Sequence, residues 1–84
     1  MTRSETIKRN KLIADFMYSN YQVSRYFCNS YSTCNTVKFA VFQDYDTIDV
    51  VKLIKFLDKN KIKYSEAKKI NSYGYTSVII RFEK

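Results

Sequence analysis

Along residues 3–18 apolar side chains recur at helical spacing. Leu12, Ile13, Phe16 and Met17 fall on one side, while Lys8, Lys11 and Asp15 point the other way. Thr2, followed three residues later by Glu5, matches a capping box that satisfies the first unpaired N–H groups of a helix. A first helix over 3–18 is therefore predicted, ending at Tyr18-Ser19-Asn20, where poor helix formers cluster. Thr36 to Phe42 (TVKFAVF) is a β-branched and aromatic run with the character of a buried strand. Asp44-Tyr45-Asp46-Thr47 interrupts it and opens a second helix over 47–60, in which Val50, Leu53, Ile54 and Leu57 line one face. Asp46 and Asp49 at its start, with Lys55, Lys59 and Lys61 near its end, complement the helix dipole. Two further strands, 62–70 and 75–83, flank Asn71-Ser72-Tyr73-Gly74, where the single glycine supplies the positive φ of a hairpin. Val78, Ile80 and Phe82 alternate with Ile79, Arg81 and Glu83, so one face of the last strand is apolar and the other amphipathic.

Residues 19–36 are rich in Tyr, Ser and Asn and have no helical period. Tyr21 to Phe27 reads either as a strand, with Asn29 to Ser32 as its turn, or as part of a long ordered loop. The order of elements is α-(β)-β-α-β-β. The expected fold class is α+β: one small domain over residues 1–84, with two helices on one face of an antiparallel sheet. A chain of 84 residues makes one domain and buries only about 60–65% of its unfolded surface.

Composition narrows the chemistry. There is no His, which removes the commonest general base and metal ligand, and one Gly, which removes the phosphate loops that need several. Cys28 and Cys34 are two ligands where zinc takes about four, so they read as small packing residues and no metal or cofactor is expected. No catalytic residue is assigned, since the serines have no His or motif-placed Lys to activate them. With neither a leader-like apolar segment nor a membrane-length run, a soluble cytoplasmic protein without a membrane partner is expected.

The formal charge is +7, from 15 Lys plus Arg against 8 Asp plus Glu. Part of this excess reflects A/T-rich codons, which raise Lys, Ile, Tyr, Phe and Asn together. The remainder is concentrated in residues 52–84, where nine basic side chains face three acidic ones. Lys52, Lys55 and Lys59 form a stripe on the second helix, with Phe56 near it. Lys61, Lys63 and Lys69 share one strand parity, Lys68 adds to them, and Tyr73 and Tyr75 stand at the hairpin tip. Lysines for phosphates and tyrosines for bases make this layer a candidate RNA or single-strand surface. Arg25, among Tyr21, Tyr26 and Tyr31, is a candidate protein contact, and the same aromatic segment could pair two copies of the chain; monomer and homodimer both stay open.

Two short stretches resemble known families. Val41-Phe42-Gln43-Asp44-Tyr45-Asp46-Thr47-Ile48 resembles the first motif of haloacid-dehalogenase-type phosphatases. That resemblance implies Asp44 as nucleophile, Asp46 as general acid, magnesium between them and a parallel α/β core. Helix capping accounts for Asp46 and Asp49 without a metal and is preferred. Asn10-Lys11-Leu12-Ile13-Ala14-Asp15-Phe16-Met17 resembles the "NNKLIAEFM" opening of short uncharacterised proteins from Bacteroidota and their phages. This second resemblance implies a mobile-element origin and a phage-type protein that binds and blocks a host component. The expected function is thus non-enzymatic inhibition of a host nucleoprotein, a CRISPR–Cas effector or its guide RNA foremost, in the manner of anti-CRISPR proteins. The other expectation is a small basic RNA- or DNA-binding accessory protein.

Overall fold

A computed structural model describes residues 3–28 and 36–82, without the side chains of residues 27 and 28. Helix α1 (Arg3–Asn20) leads into β1 (Arg25–Cys28), and β2 is Thr36–Phe42. A 3-10 turn (Gln43–Tyr45) precedes helix α2 (Val50–Lys59), and β3 (Glu66–Ser72) and β4 (Tyr75–Arg81) close the chain. The four strands form one antiparallel sheet in the order β1-β2-β4-β3, so α2 carries the chain across from β2 to β3 and the final hairpin returns β4 to the centre. The α+β arrangement expected from the order of elements is the one observed.

Register decides which side chains share a face. Val37, Phe39 and Val41 stand opposite Ile80, Val78 and Thr76 on β4, and Ala67 and Tyr26 join them from the two edge strands. This face meets Ile13, Ala14 and Met17 of α1 and Leu53 and Leu57 of α2 in one continuous core. Both helices therefore lie on the same side of the sheet. The stripe of α1 that turns inward is Thr6, Asn10, Ile13, Ala14 and Met17, rotated from the one predicted, and Leu12 is left exposed. The rotation brings Phe16 onto α2, where its ring stacks on Phe56 at 4.1 Å and meets Tyr21 edge-on at 6.4 Å. Arg9 lies over the ring of Phe82 at 3.6 Å, covering an end of the core that α1 would otherwise leave open to water.

Local chemistry sets the boundaries. Asp49 is the residue that caps α2, accepting from the N–H groups of Val51 and Lys52 at 2.9 and 3.4 Å. The helix thus begins three residues later than predicted. At its other end the N–H of Ile62 donates to Leu57 O at 2.9 Å and that of Lys61 to Asp58 O at 3.1 Å. These are the paired bonds of a Schellman motif, which put Lys61 in the left-handed region at φ 57°. The predicted strand 62–70 consequently starts only at Glu66, because Lys61 and Ile62 are spent in stopping the helix. Gly74 at φ 77° makes the hairpin turn as expected. Of the alternatives for 21–27, a short strand forms, but only from Arg25. The predicted cap Thr2, the turn 29–32, Tyr31 and Cys34 lie outside the described residues.

Candidate functional site

The predicted lysine layer is divided by the fold. Lys52, Lys55 and Lys59 are exposed on α2, on the helix-covered side of the sheet, with Lys52 Nζ donating to Asn20 Oδ1 at 2.9 Å. Phe56 does not join them as a contact residue: half-buried, it gives its ring face to Phe16. Lys61 and Lys63 are exposed on the connection after α2, in line with the helix end and not in a strand. Lys69 faces inward at the sheet edge, where its Nζ pairs with Asp46 Oδ2 at 2.9 Å and donates to Ile48 O at 3.2 Å. Its parity with Lys61 and Lys63 is lost because β3 had not begun at those positions. Tyr73 is fully exposed at the hairpin tip. Tyr21 is buried and Tyr26 stacks on Phe39 at 4.9 Å, so neither supplies the aromatic surface expected beside Arg25.

The opposite face of the sheet collects a different set. Every position that alternates with the core positions turns there, and no described helix packs on it. Its four rows follow from the register. Phe42 pairs with Tyr75; Arg25, Ala40, Ser77 and Ile70 form the next row; Lys38, Ile79 and Lys68 the third; Thr36, Arg81 and Glu66 the last. Among the described residues, Arg25, Lys38, Lys68 and Arg81 thus share this face with one carboxylate, Glu66. Glu66 lies 3.1 Å from Lys68 Nζ and 3.6 Å from Arg81 Nε, and all three side chains are at least 40% exposed, so water screens these pairs and leaves the cations adjustable. Phe42 and Tyr75 are 47% and 38% exposed, with ring centroids 5.3 Å apart and planes 32° apart. Phe42 and Lys38 were missed as surface residues, while Ile79 and Arg81, expected on the amphipathic face of the last strand, were not named as candidate contacts. TVKFAVF reads as uniformly buried by composition, whereas its period of two sends Lys38, Ala40 and Phe42 outward.

The two aspartates of the phosphatase-like stretch part company. Asp44 is exposed on the 3-10 turn, beside a shallow groove shared with Tyr18, Gln22, Tyr45 and Thr47. Asp46 is enclosed. Its Oδ1 accepts from Ile48 N at 3.1 Å, and its Oδ2 accepts from Thr76 Oγ1 at 3.1 Å as well as from Lys69. The single hydroxyl proton of Thr76, which is fully buried, is shared between Asp46 Oδ2 and Asn71 Oδ1, the latter at 3.2 Å. Burial alone would raise the Asp46 carboxyl, but the hydrogen bonds from Lys69, Ile48 and Thr76 and the Lys69 charge outweigh it and hold the carboxyl below its ordinary value. Asp46 therefore joins the 46–48 segment to the β3–β4 hairpin as a carboxylate. The parallel core implied by the phosphatase resemblance is replaced by an antiparallel sheet. Among the described residues no group of three or more acidic, Cys or His side chains could hold a metal, and no helix is long and apolar enough to cross a membrane.

No protein-family model, curated protein or solved structure matches the chain, so its class rests on the fold and on this face alone.

Proposed function

We propose that the protein is a non-enzymatic nucleic-acid-binding domain whose working surface is the open face of its sheet. The observation that carries this reading is the placing of Arg25, Lys38, Lys68 and Arg81 around exposed Phe42 and Tyr75, with Glu66 the one carboxylate among the described residues of that face. A sheet with helices on one side needs only that side for its core, and the other is available for a partner. Four cations on one flat face match a phosphate backbone in sign and spread, and aromatic rings among them add the contact that bases favour. The resemblance of residues 10–17 to phage-associated proteins supports a narrower form, in which the nucleic acid belongs to a host nucleoprotein such as a CRISPR–Cas effector and binding in the host cytoplasm inhibits it.

The test is a titration of labelled RNA and DNA with the free protein across a range of salt. If the four cations each meet a phosphate, log affinity falls with log salt at a slope of about −3. Arg25→Glu with Lys38→Glu and Arg81→Glu removes binding, whereas Lys52→Glu with Lys55→Glu and Lys59→Glu leaves most of it. The inhibitory form further requires tight binding to a loaded effector complex. Absence of salt-dependent binding to RNA, DNA and effector alike overturns the proposal.

A further inference from the structure

The charge of the open face suits any nucleic acid, but its relief does not. We infer that it takes a single strand rather than a duplex, with two successive unpaired bases stacked on Phe42 and Tyr75 and the backbone running over Ala40 and Ser77 toward Lys38 and Arg81. This builds on the sheet face being a nucleic-acid surface.

Three features carry it. First, Phe42 and Tyr75 are register partners on the two central strands, so their rings, 5.3 Å apart, form one tilted platform at an end of the face. Their exposure of 47% and 38% leaves that platform open to solvent. Unpaired bases stack on such rings irrespective of sequence, whereas bases in a duplex present only their edges. Second, Ala40 and Ser77 occupy the next row and are each 6% exposed although they point outward. The longer side chains of the flanking rows, Phe42 with Tyr75 and Lys38 with Ile79, close over these small ones, so a strand crossing the row rests on those flanking side chains. Rows on one face are about 7 Å apart, a step suited to an extended backbone crossing them. Third, the cations lie beside and beyond this row: Arg25 at its β1 end, and Lys38, Lys68 and Arg81 in the rows farther from the rings. A strand whose bases rest on the platform meets positive charge wherever its phosphates leave it. A B-form duplex fits poorly, because its major groove admits a helix or a two-stranded ribbon, not the flat of a four-stranded sheet.

The experiment measures fluorescence anisotropy of labelled oligouridine, oligothymidine and a mixed-sequence duplex of equal length with the full chain, at about 50 and 200 mM salt. The single strands bind at least about tenfold more tightly than the duplex, and Phe42→Ala and Tyr75→Ala each weaken single-strand binding by about tenfold with the salt slope unchanged. Phe42→Tyr and Tyr75→Phe keep wild-type affinity, because a ring remains. Phe42→Leu and Tyr75→Leu, which keep apolar bulk without a π face, lose affinity as the alanine variants do, and they carry the test if an alanine variant fails to fold. Salt-dependent binding that is equal for single strand and duplex, or indifferent to both rings, overturns the stacking inference and leaves the nucleic-acid surface standing. No salt-dependent binding of either form overturns both.

Discussion

Replacing Asp46 by Asn keeps the shape of the side chain and removes its charge. The Asn oxygen can still accept from Ile48 N and Thr76 Oγ1 can turn to accept from the amide, but Lys69 Nζ, a donor only, then faces N–H donors and loses its counter-charge. Losing one partner of a buried ion pair costs about 3–5 kcal/mol, and an exposed pair contributes about 0–1 kcal/mol. With side-chain exposures of 16% for Asp46 and 30% for Lys69, this pair falls between, at about 2 kcal/mol. For a domain of this size that is a large share of a total near 4–12 kcal/mol, and a fall in Tm of about 10 °C. The dependence on pH identifies the cause. The folded carboxyl titrates below its ordinary value of 3.8, so its contribution is complete at neutral pH. As acid is added the unfolded chain protonates first, and the contribution shrinks through 3.8 and vanishes below the folded value. Urea unfolding followed by circular dichroism should show wild type ahead of Asp46→Asn at pH 7 and the gap closing in acid. Asp44→Asn, at an exposed site, should stay within about 0.5 kcal/mol of wild type. A gap that is absent at pH 7, or that persists unchanged in acid, refutes the assigned role of Asp46.

Other substitutions test the remaining joints. Lys61→Gly relieves a left-handed backbone at the end of α2 and should stabilise by about 0.5–1 kcal/mol, seen as a rise in the denaturation midpoint at constant slope. Asp49→Ala removes the α2 cap and should cost about 1 kcal/mol, with Asp49→Asn recovering most of it. Phe56→Ala removes the ring stacked on Phe16 and should cost about 2 kcal/mol while leaving nucleic-acid affinity unchanged where the variant is folded. An affinity loss at Phe56 with stability intact would return that residue to the binding surface.

Most of the architecture was legible from periodicity, because β2 and the β3–β4 hairpin each satisfy local and tertiary demands together. TVKFAVF has strand propensity, and its alternate residues fill the core. Gly74 has the freedom that the turn uses. Elements shifted where a local signal served another partner. Asp46 looked like a helix-start carboxylate, but its nearest cation is Lys69, 23 positions along the chain. Leu12 belonged to the apolar stripe of α1 by spacing, yet packing selected the neighbouring stripe with Thr6 and Asn10. The candidate surface was partly legible: Arg25, Lys68 and Tyr75 were named from sequence, but their convergence with Phe42, Lys38 and Arg81 depends on strand order, and no local pattern specifies that β4 lies beside β2. Counting lysines favoured α2 because a helix displays its cations as a contiguous stripe, whereas the sheet assembles its own from four separate segments.

The most direct discrimination between these two surfaces is an amide chemical-shift titration of the labelled protein with oligouridine. The account predicts that the largest shifts fall at Lys38, Ala40, Phe42, Tyr75 and Ser77, with α2 undisturbed. Shifts concentrated at Lys52, Lys55 and Lys59, with the sheet unmoved, would contradict it.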